Sequence, residues 1–243
     1  MIIMSYPDII KPGSKLYHAL KDLGVEMHHS PNRPYNVLIY WSYGKIPHIP
    51  DEFINTHKML NKGCIDVSKK RVHQLFEDIF VDPETYTGKA VASTDRQCSC
   101  DHHVVNCPTK KRDGFIYRKY INCEDENGFY RLRLYVFGEV KFAVLRHSIK
   151  DFEDKGIRAG KLELYDIKKI PVIDKINKIL AKNNINICEL DLLQDNDTKE
   201  YYVTDINNIA GSYKEAFYNE YNHIRIKYNT YLAKYLKRFG YEI

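Results

Sequence analysis

Asp191, Asp205 and Asn207 are the residues whose types and spacing best fit a chemical task. They lie in two segments, Ile187-Cys188-Glu189-Leu190-Asp191-Leu192-Leu193 and residues 201–208. Residues 194–200 separate them and are wholly polar and rich in turn formers, so the pair reads as a β-hairpin. Side chains alternate across a strand, so Asp205 and Asn207 leave one face two residues apart, and Asp191 on the partner strand can point to the same face. Two carboxylates and an amide oxygen make a hard-oxygen site suited to Mg²⁺, which keeps several waters and takes further ligands from nucleotide phosphates. The competing reading is a hairpin with solvated acids. The apolar alternation of a half-buried strand favours the site.

Other elements must hold this hairpin in place. The run Asn36-Val37-Leu38-Ile39-Tyr40-Trp41 reads as a buried strand. Residues 1–34 hold four prolines and read as irregular, apart from a short helix over 15–23. Ser68 can cap a helix over 69–80, with Val72, Leu75, Phe76 and Ile79 at core spacing. Strands are expected at 88–93, 114–121, 129–137 and 139–146. Pro171 opens a helix to residue 180 with an Ile/Leu stripe, and a long helix over 212–238 closes the chain. The Tyr/aliphatic stripe of that last helix is packing rather than a ligand platform.

Composition narrows the function classes. The 243 residues suffice for one large domain or two small ones. A net charge of +5, with 32 acidic residues among 37 basic ones, suits an enzyme with an anionic ligand better than a nucleic-acid binder with one basic face. No stretch approaches the roughly 20 apolar residues of a membrane span, and Met1-Ile2-Ile3-Met4 is too short for a signal-peptide core. Six cysteines without a secretion signal fit reduced thiols in a cytoplasmic protein. Cys98, Cys100, His102, His103 and Cys107 are too irregularly spaced for a structural zinc site, and the loop around them reads as a lid.

Taken in order, several segments resemble the ATP-grasp superfamily. They are Ser68-Lys69-Lys70 at a helix start, Phe115-Ile116-Tyr117-Arg118-Lys119-Tyr120-Ile121, and Arg131-Leu132-Arg133-Leu134-Tyr135-Val136-Phe137-Gly138. Leu145-Arg146-His147-Ser148 and the Asp191…Asp205-Ile206-Asn207 hairpin complete the series. The similarity spans about residues 65–210 and is greatest to the branch of glutamate ligases and D-alanine–D-alanine ligases, and to small ATP-grasp proteins. It implies an α+β chain: a truncated N-terminal lobe over 1–66 and an ATP-grasp domain over 67–243 that ends in the C-terminal helix. A nucleotide would lie in the cleft between two α/β lobes.

The resemblance also implies site roles. ATP and Mg²⁺, with Mn²⁺ as a substitute, would be bound. Tyr120 and Ile121 would border adenine beside Lys119, Asp125 would meet the ribose, and Lys69 would reach the phosphates. Arg133, Arg146 and Arg158 would steady the transferred phosphoryl group and an acyl phosphate. Where the family carries a lysine at a strand end, this chain has Ser93. Lys89 shares that strand face but lies roughly 13 Å away, at about 3.3 Å per residue. Arg96 is the expected substitute, in a loop over 94–103 that has no glycine. Asp205 stands where a glutamate is usual.

The expected activity is joining a carboxylate to an amine, in peptide or surface-polymer tailoring. A small-molecule kinase and a non-catalytic nucleotide-binding partner remain the alternatives. The implied partners are ATP and a small molecule or peptide bearing a carboxylate or amine. No nucleic acid and no membrane are implied, and a homodimer is compatible with the sequence.

Overall fold

Five consecutive branched or aromatic residues make β3 (Val37–Trp41) a strand buried along its whole length. Continuous burial belongs to a parallel sheet covered on both faces. In the computed structural model, which describes residues 1–42, 49–56, 58–95, 101–148, 159–208 and 221–242, β3 lies inside such a sheet. β1 (Ile2–Pro7), β2 (Glu26–His28) and β4 (Met59–Leu60) join it in parallel, in the order β2-β1-β3-β4. Alternate side chains serve opposite faces: Ile3, Val37, Ile39 and Trp41 enter one core, and Met4, Leu38 and Tyr40 enter another. Helix α1 (Lys15–Asp22) links β1 to β2, with the Ser14 hydroxyl accepting from the Tyr17 N–H at 3.2 Å. A single turn, α2 (Asp51–Ile54), stands between β3 and β4. Two strands thus occupy residues whose prolines suggest irregular chain. Pro7 ends β1 rather than interrupting it, so the ladder loses nothing.

Ser68 caps α3 (Lys69–Leu75), its hydroxyl accepting from the Arg71 N–H. This helix is shorter than the 69–80 predicted from spacing. Residues 79–81 instead run beside β7 (Phe115–Lys119), where the Lys119 N–H donates to the Ile79 carbonyl and the Val81 N–H to the Tyr117 carbonyl. β5 (Gly88–Thr94) is the middle of an antiparallel sheet between β7 and β6 (His103–Cys107).

The third sheet carries the hairpin. β8 (Glu124–Asp125), β9 (Gly128–Phe137), β10 (Val140–Ser148), β11 (Ala159–Tyr165), β12 (Ile187–Gln194) and β13 (Tyr201–Asn207) are antiparallel. The order is β11-β10-β9-β12-β13, with β8 paired to β9. Leu132, Leu134 and Val136 of β9 and Cys188, Leu190 and Leu192 of β12 pack with Ile176 and Leu180 of α4 (Ile173–Lys182). The opposite face begins with Tyr135, Phe137 and Ile187. Against them α5 (Asn222–Leu236) packs Tyr228, Leu232 and Tyr235, with the Phe137 and Tyr228 rings edge-to-face at 4.9 Å. The C-terminal tyrosine stripe is therefore core; residues 212–220 of the expected helix lie outside the described ones. Among the described residues no helix is long and apolar enough to cross a membrane. Farther along the second face, apolar residues give way to Arg131, Arg133, Glu189 and Asp191.

Asn61 fixes where β12 begins. Its backbone is left-handed (φ 62°), a conformation asparagine tolerates well. Its Oδ1 accepts from the Asn186 N–H at 2.9 Å and the Ile187 N–H at 2.7 Å, and its Nδ2 donates to the Ile187 carbonyl at 2.7 Å. Asn61→Ala leaves these buried groups without a partner, and should lower unfolding free energy by about 3 kcal/mol. Urea denaturation measures this; a loss below about 1 kcal/mol would show that Asn61 does not hold the strand.

Candidate nucleotide and metal site

Strand register assembles the site. Val144, Arg133, Asp191 and Asp205 stand abreast on β10, β9, β12 and β13, and Phe142, Tyr135, Glu189 and Asn207 form the next row. Arg146 and Arg131 face each other on β10 and β9. Directly opposed side chains on one sheet face lie about 5 Å apart, so charges in these rows interact. A register shift between Asp191 and Leu192 lets Val203 turn to the core while Asp205 and Asn207 keep the polar face.

Arg133 grips Asp191 with both arms of its fork: Nε donates to Oδ1 at 2.9 Å and Nη2 to Oδ2 at 3.2 Å. Its Nη1 donates to Glu189 Oε2 at 3.2 Å, and Glu189 Oε1 accepts from Lys15 Nζ at 2.7 Å. Arg131 approaches Asp191 at 3.5 Å, and Asn207 Nδ2 donates to Asp191 Oδ2 at 3.4 Å. Burial would raise the Asp191 carboxyl, but Arg133, Arg131 and Arg146 hold it well below the usual carboxylate range. Asp205 moves the other way. Its burial raises the carboxyl and the like charge of Asp191 adds to that, against the pull of Lys69, Arg118 and Arg131. Arg133, Arg131, Arg146, Lys69 and Arg118 thus all act on these two carboxylates. Lys69 is buried at the start of α3, which packs against β13.

A second part of the site lies at the end of β7. A cavity of about 450 Å³ is lined by Lys89, Lys119, Tyr120, Glu124 and Asp195, with Tyr86, Asn122, Asp197 and Thr198 completing the wall. Lys119 pairs with Asp195 at 3.3 Å and lies over the Tyr202 ring. Burial would lower the Lys119 ammonium, but the bond from Asp195 outweighs it and its pKa rises. Lys89 lies over the Tyr120 ring. The Ile121 side chain is buried with Ile79 and Tyr202 beneath this connection. Asp125 sits on β8 and accepts from His147 Nε2 at 3.0 Å; that bond and one from the Asn127 N–H outweigh its burial and lower its pKa. Its neighbour Glu124, not Asp125, lines the cavity.

The structure therefore brings Asp191, Asp205, Asn207, Arg133, Arg146 and Lys69 around one focus, and Lys89, Lys119 and Tyr120 around another. Arg96 and Arg158 lie outside the described residues. Among those described, no three His, Cys, Asp or Glu side chains cluster as metal holders, so any cation here would draw on Asn207 and phosphate oxygens as well. Sequence reasoning missed Glu189, Lys15 and Arg118. Glu189 was legible, because it shares a strand face with Asp191 two residues on. Lys15 carried no signal, since it reaches Glu189 from 174 positions away.

Asp191 and Asp205 should respond differently to loss of charge. Asp191→Asn strips Arg133 of its buried partner and should cost about 3 kcal/mol of stability. Asp205→Asn removes a carboxylate that burial disfavours, so the ligand-free protein should melt no lower than the parent while Mg-ATP affinity falls at least tenfold. Thermal melts and calorimetry with and without Mg²⁺ check both; equal losses of stability in the two variants would contradict the assignment.

No protein-family model matches the chain, and no curated protein matches it in sequence. Solved structures match over nearly the whole length. The ATP-grasp ligase PsnB complexed with minimal precursor, Mg and ADP is 11% identical, covering 94% of this chain and 96% of that one at a TM-score of 0.59. The macrocyclase MdnC from Microcystis aeruginosa, bound with precursor peptide MdnA, is 14% identical with 98% and 100% covered and a TM-score of 0.58. D-alanine–D-alanine ligase from Bacillus anthracis is 11% identical with 98% and 96% covered and a TM-score of 0.57. With a small first lobe, an antiparallel second sheet and a charged face on the third, this chain has the ATP-grasp fold.

Proposed function

We propose that the protein is an ATP- and Mg²⁺-dependent ligase that activates a carboxylate as an acyl phosphate and joins it to an amine, on a peptide. The observation that carries this reading is the register row of Arg133, Asp191 and Asp205, backed by Glu189 and Asn207. It places hard oxygen donors among several fixed cations, which is what phosphoryl transfer requires. The peptide is favoured because PsnB and MdnC, which share the fold, bind the precursor peptides PsnA2 and MdnA.

In this reading the cavity by Lys119 and Tyr120 takes the base and ribose, with Lys89 over Tyr120 closing its wall. Lys69 reaches the polyphosphate from the start of α3. Asp205, Asn207 and Asp191 would hold Mg²⁺, which when bound neutralises charge on the phosphate oxygens. Arg133 acts through Asp191, fixing its orientation with two hydrogen bonds. Arg131 and Arg146, abreast on their strands, face the group being transferred. Arginine suits this place because it stays charged when buried and matches phosphate and carboxylate geometry.

The substrate carboxylate oxygen attacks the γ-phosphorus and ADP leaves; the amine nitrogen then attacks the acyl carbon, and orthophosphate departs as the nitrogen loses its proton. Arg146→Ala should lower turnover about 100-fold while leaving Mg-ATP affinity within threefold, because its contact strengthens with the charge of the transition state. Coupled ADP release from acidic peptides supplied with an amine measures it. Orthophosphate should appear only when the amine is present; ADP with a stable phosphorylated product would reveal a kinase, and ATP binding without any ADP a non-catalytic partner.

A further inference from the structure

We propose that Arg118 is the residue that contacts the nucleotide's polyphosphate from the three-stranded sheet, and that His73 aims it there. The proposal rests on the nucleotide reading given above and adds to it a cation that its motifs do not assign.

Arg118 is only 7% exposed, yet its Nε–H has no hydrogen-bond partner among the described residues. A guanidinium offers five donors, and burying one without an acceptor is costly. Among the described residues its side-chain hydrogen-bond partner is His73, whose Nε2 lies 3.5 Å from Nη1. The tautomer of His73 follows from its other side, where Nδ1 lies 3.1 Å from the Glu77 carbonyl and must donate to it. Nε2 is then a bare acceptor, the only form that can face a guanidinium. Burial and the charge of Arg118 push the His73 pKa down to about 4, so the ring stays neutral. Its edge-on contact with Phe80 at 5.2 Å fixes the ring plane. His73 therefore orients the guanidinium without neutralising it.

The direction in which Arg118 points is set by register. Arg118 stands opposite Val91, and Ile116 opposite Ser93, so Arg118 and Ser93 leave the same sheet face as diagonal neighbours. Ser93 is fully buried, and its hydroxyl also has no partner among the described residues. The charges that act most on Arg118 are Asp205 and Asp95. Asp95 is already engaged, its Oδ1 accepting from the Lys70 N–H at 2.9 Å. Two buried donors on one face without a partner among the described residues, with the Asp205 charge acting on the guanidinium, describe a gap that needs an anion rich in oxygen acceptors. A chain of phosphates fits, since the guanidinium fork can take two of its oxygens at once.

The test uses the full chain, with inorganic tripolyphosphate and adenosine as separate probes in calorimetry without added metal. The parent should bind both. Arg118→Met should weaken tripolyphosphate at least tenfold and leave adenosine within twofold, which also shows that the variant is folded. Arg118→Lys keeps the charge without the fork and should fall between them. His73→Phe should weaken tripolyphosphate about fivefold, and His73→Gln, which retains an acceptor, should restore most of it. A parent that binds neither probe overturns the nucleotide reading and this inference with it. A parent that binds tripolyphosphate no better than Arg118→Met overturns the role of Arg118 alone. Loss of both probes in both Arg118 variants also overturns it, because Arg118 would then be holding the fold.

Discussion

A buried chain of alternating charge, Lys15–Glu189–Arg133–Asp191, is the constraint on which the rest of this molecule depends. It begins on α1 beside the first sheet and ends in the middle of the third, so it joins those two sheets through groups that are almost wholly out of water. Such a chain persists only if every member is matched, since removing one partner strands the next in a low-dielectric interior. Lys15 shows how close the balance is. Burial pulls its pKa down to about 8, against the attraction of Glu189 and with repulsion from Arg133 and Arg146. The apolar residues around it, Tyr135 stacked on Phe142 and crossed by Tyr228, exclude the water that would otherwise weaken these pairs.

This constraint explains the division of labour among the acids. Asp191 is the most tightly held, which makes it an anchor whose geometry does not wander. Asp205, one strand farther out, is raised by burial and by the neighbouring charge of Asp191, so it gains most from an incoming cation. Placing a committed and an available carboxylate side by side gives a site that is rigid yet unsatisfied without ligand. The same contrast recurs at Arg118, which is oriented by His73 while its Nε–H has no partner among the described residues.

Period-two alternation made much of this legible in the sequence. It grouped Asp205 with Asn207, gave Asp191 its shared face, and set Arg131 and Arg133 apart from the leucines between them. The long buried strand at Val37–Trp41 and the cap at Ser68 were local signals of the same kind. What alternation could not provide was partnership at a distance. Nothing near Lys15 announces Glu189, and nothing in the run Arg118-Lys119 says which cation enters the cleft and which turns to Asp195. β1 was hidden because the four prolines of residues 1–34 suggested irregular chain, although Pro7 merely ends it. α3 ends early because residues 79–81 gain strand pairing with β7, a tertiary reward that helical spacing does not encode.

The central claim is that the face bearing Asp191, Asp205 and Asn207 receives a metal–nucleotide complex. Crystals grown with ADP and Mn²⁺ test it most directly, through the anomalous signal of the metal. The account predicts one peak against Asp205 and Asn207, ADP entering from the cavity at Lys119 and Tyr120, and Arg133 still gripping Asp191. ADP bound elsewhere, or a manganese peak remote from Asp205, would contradict it.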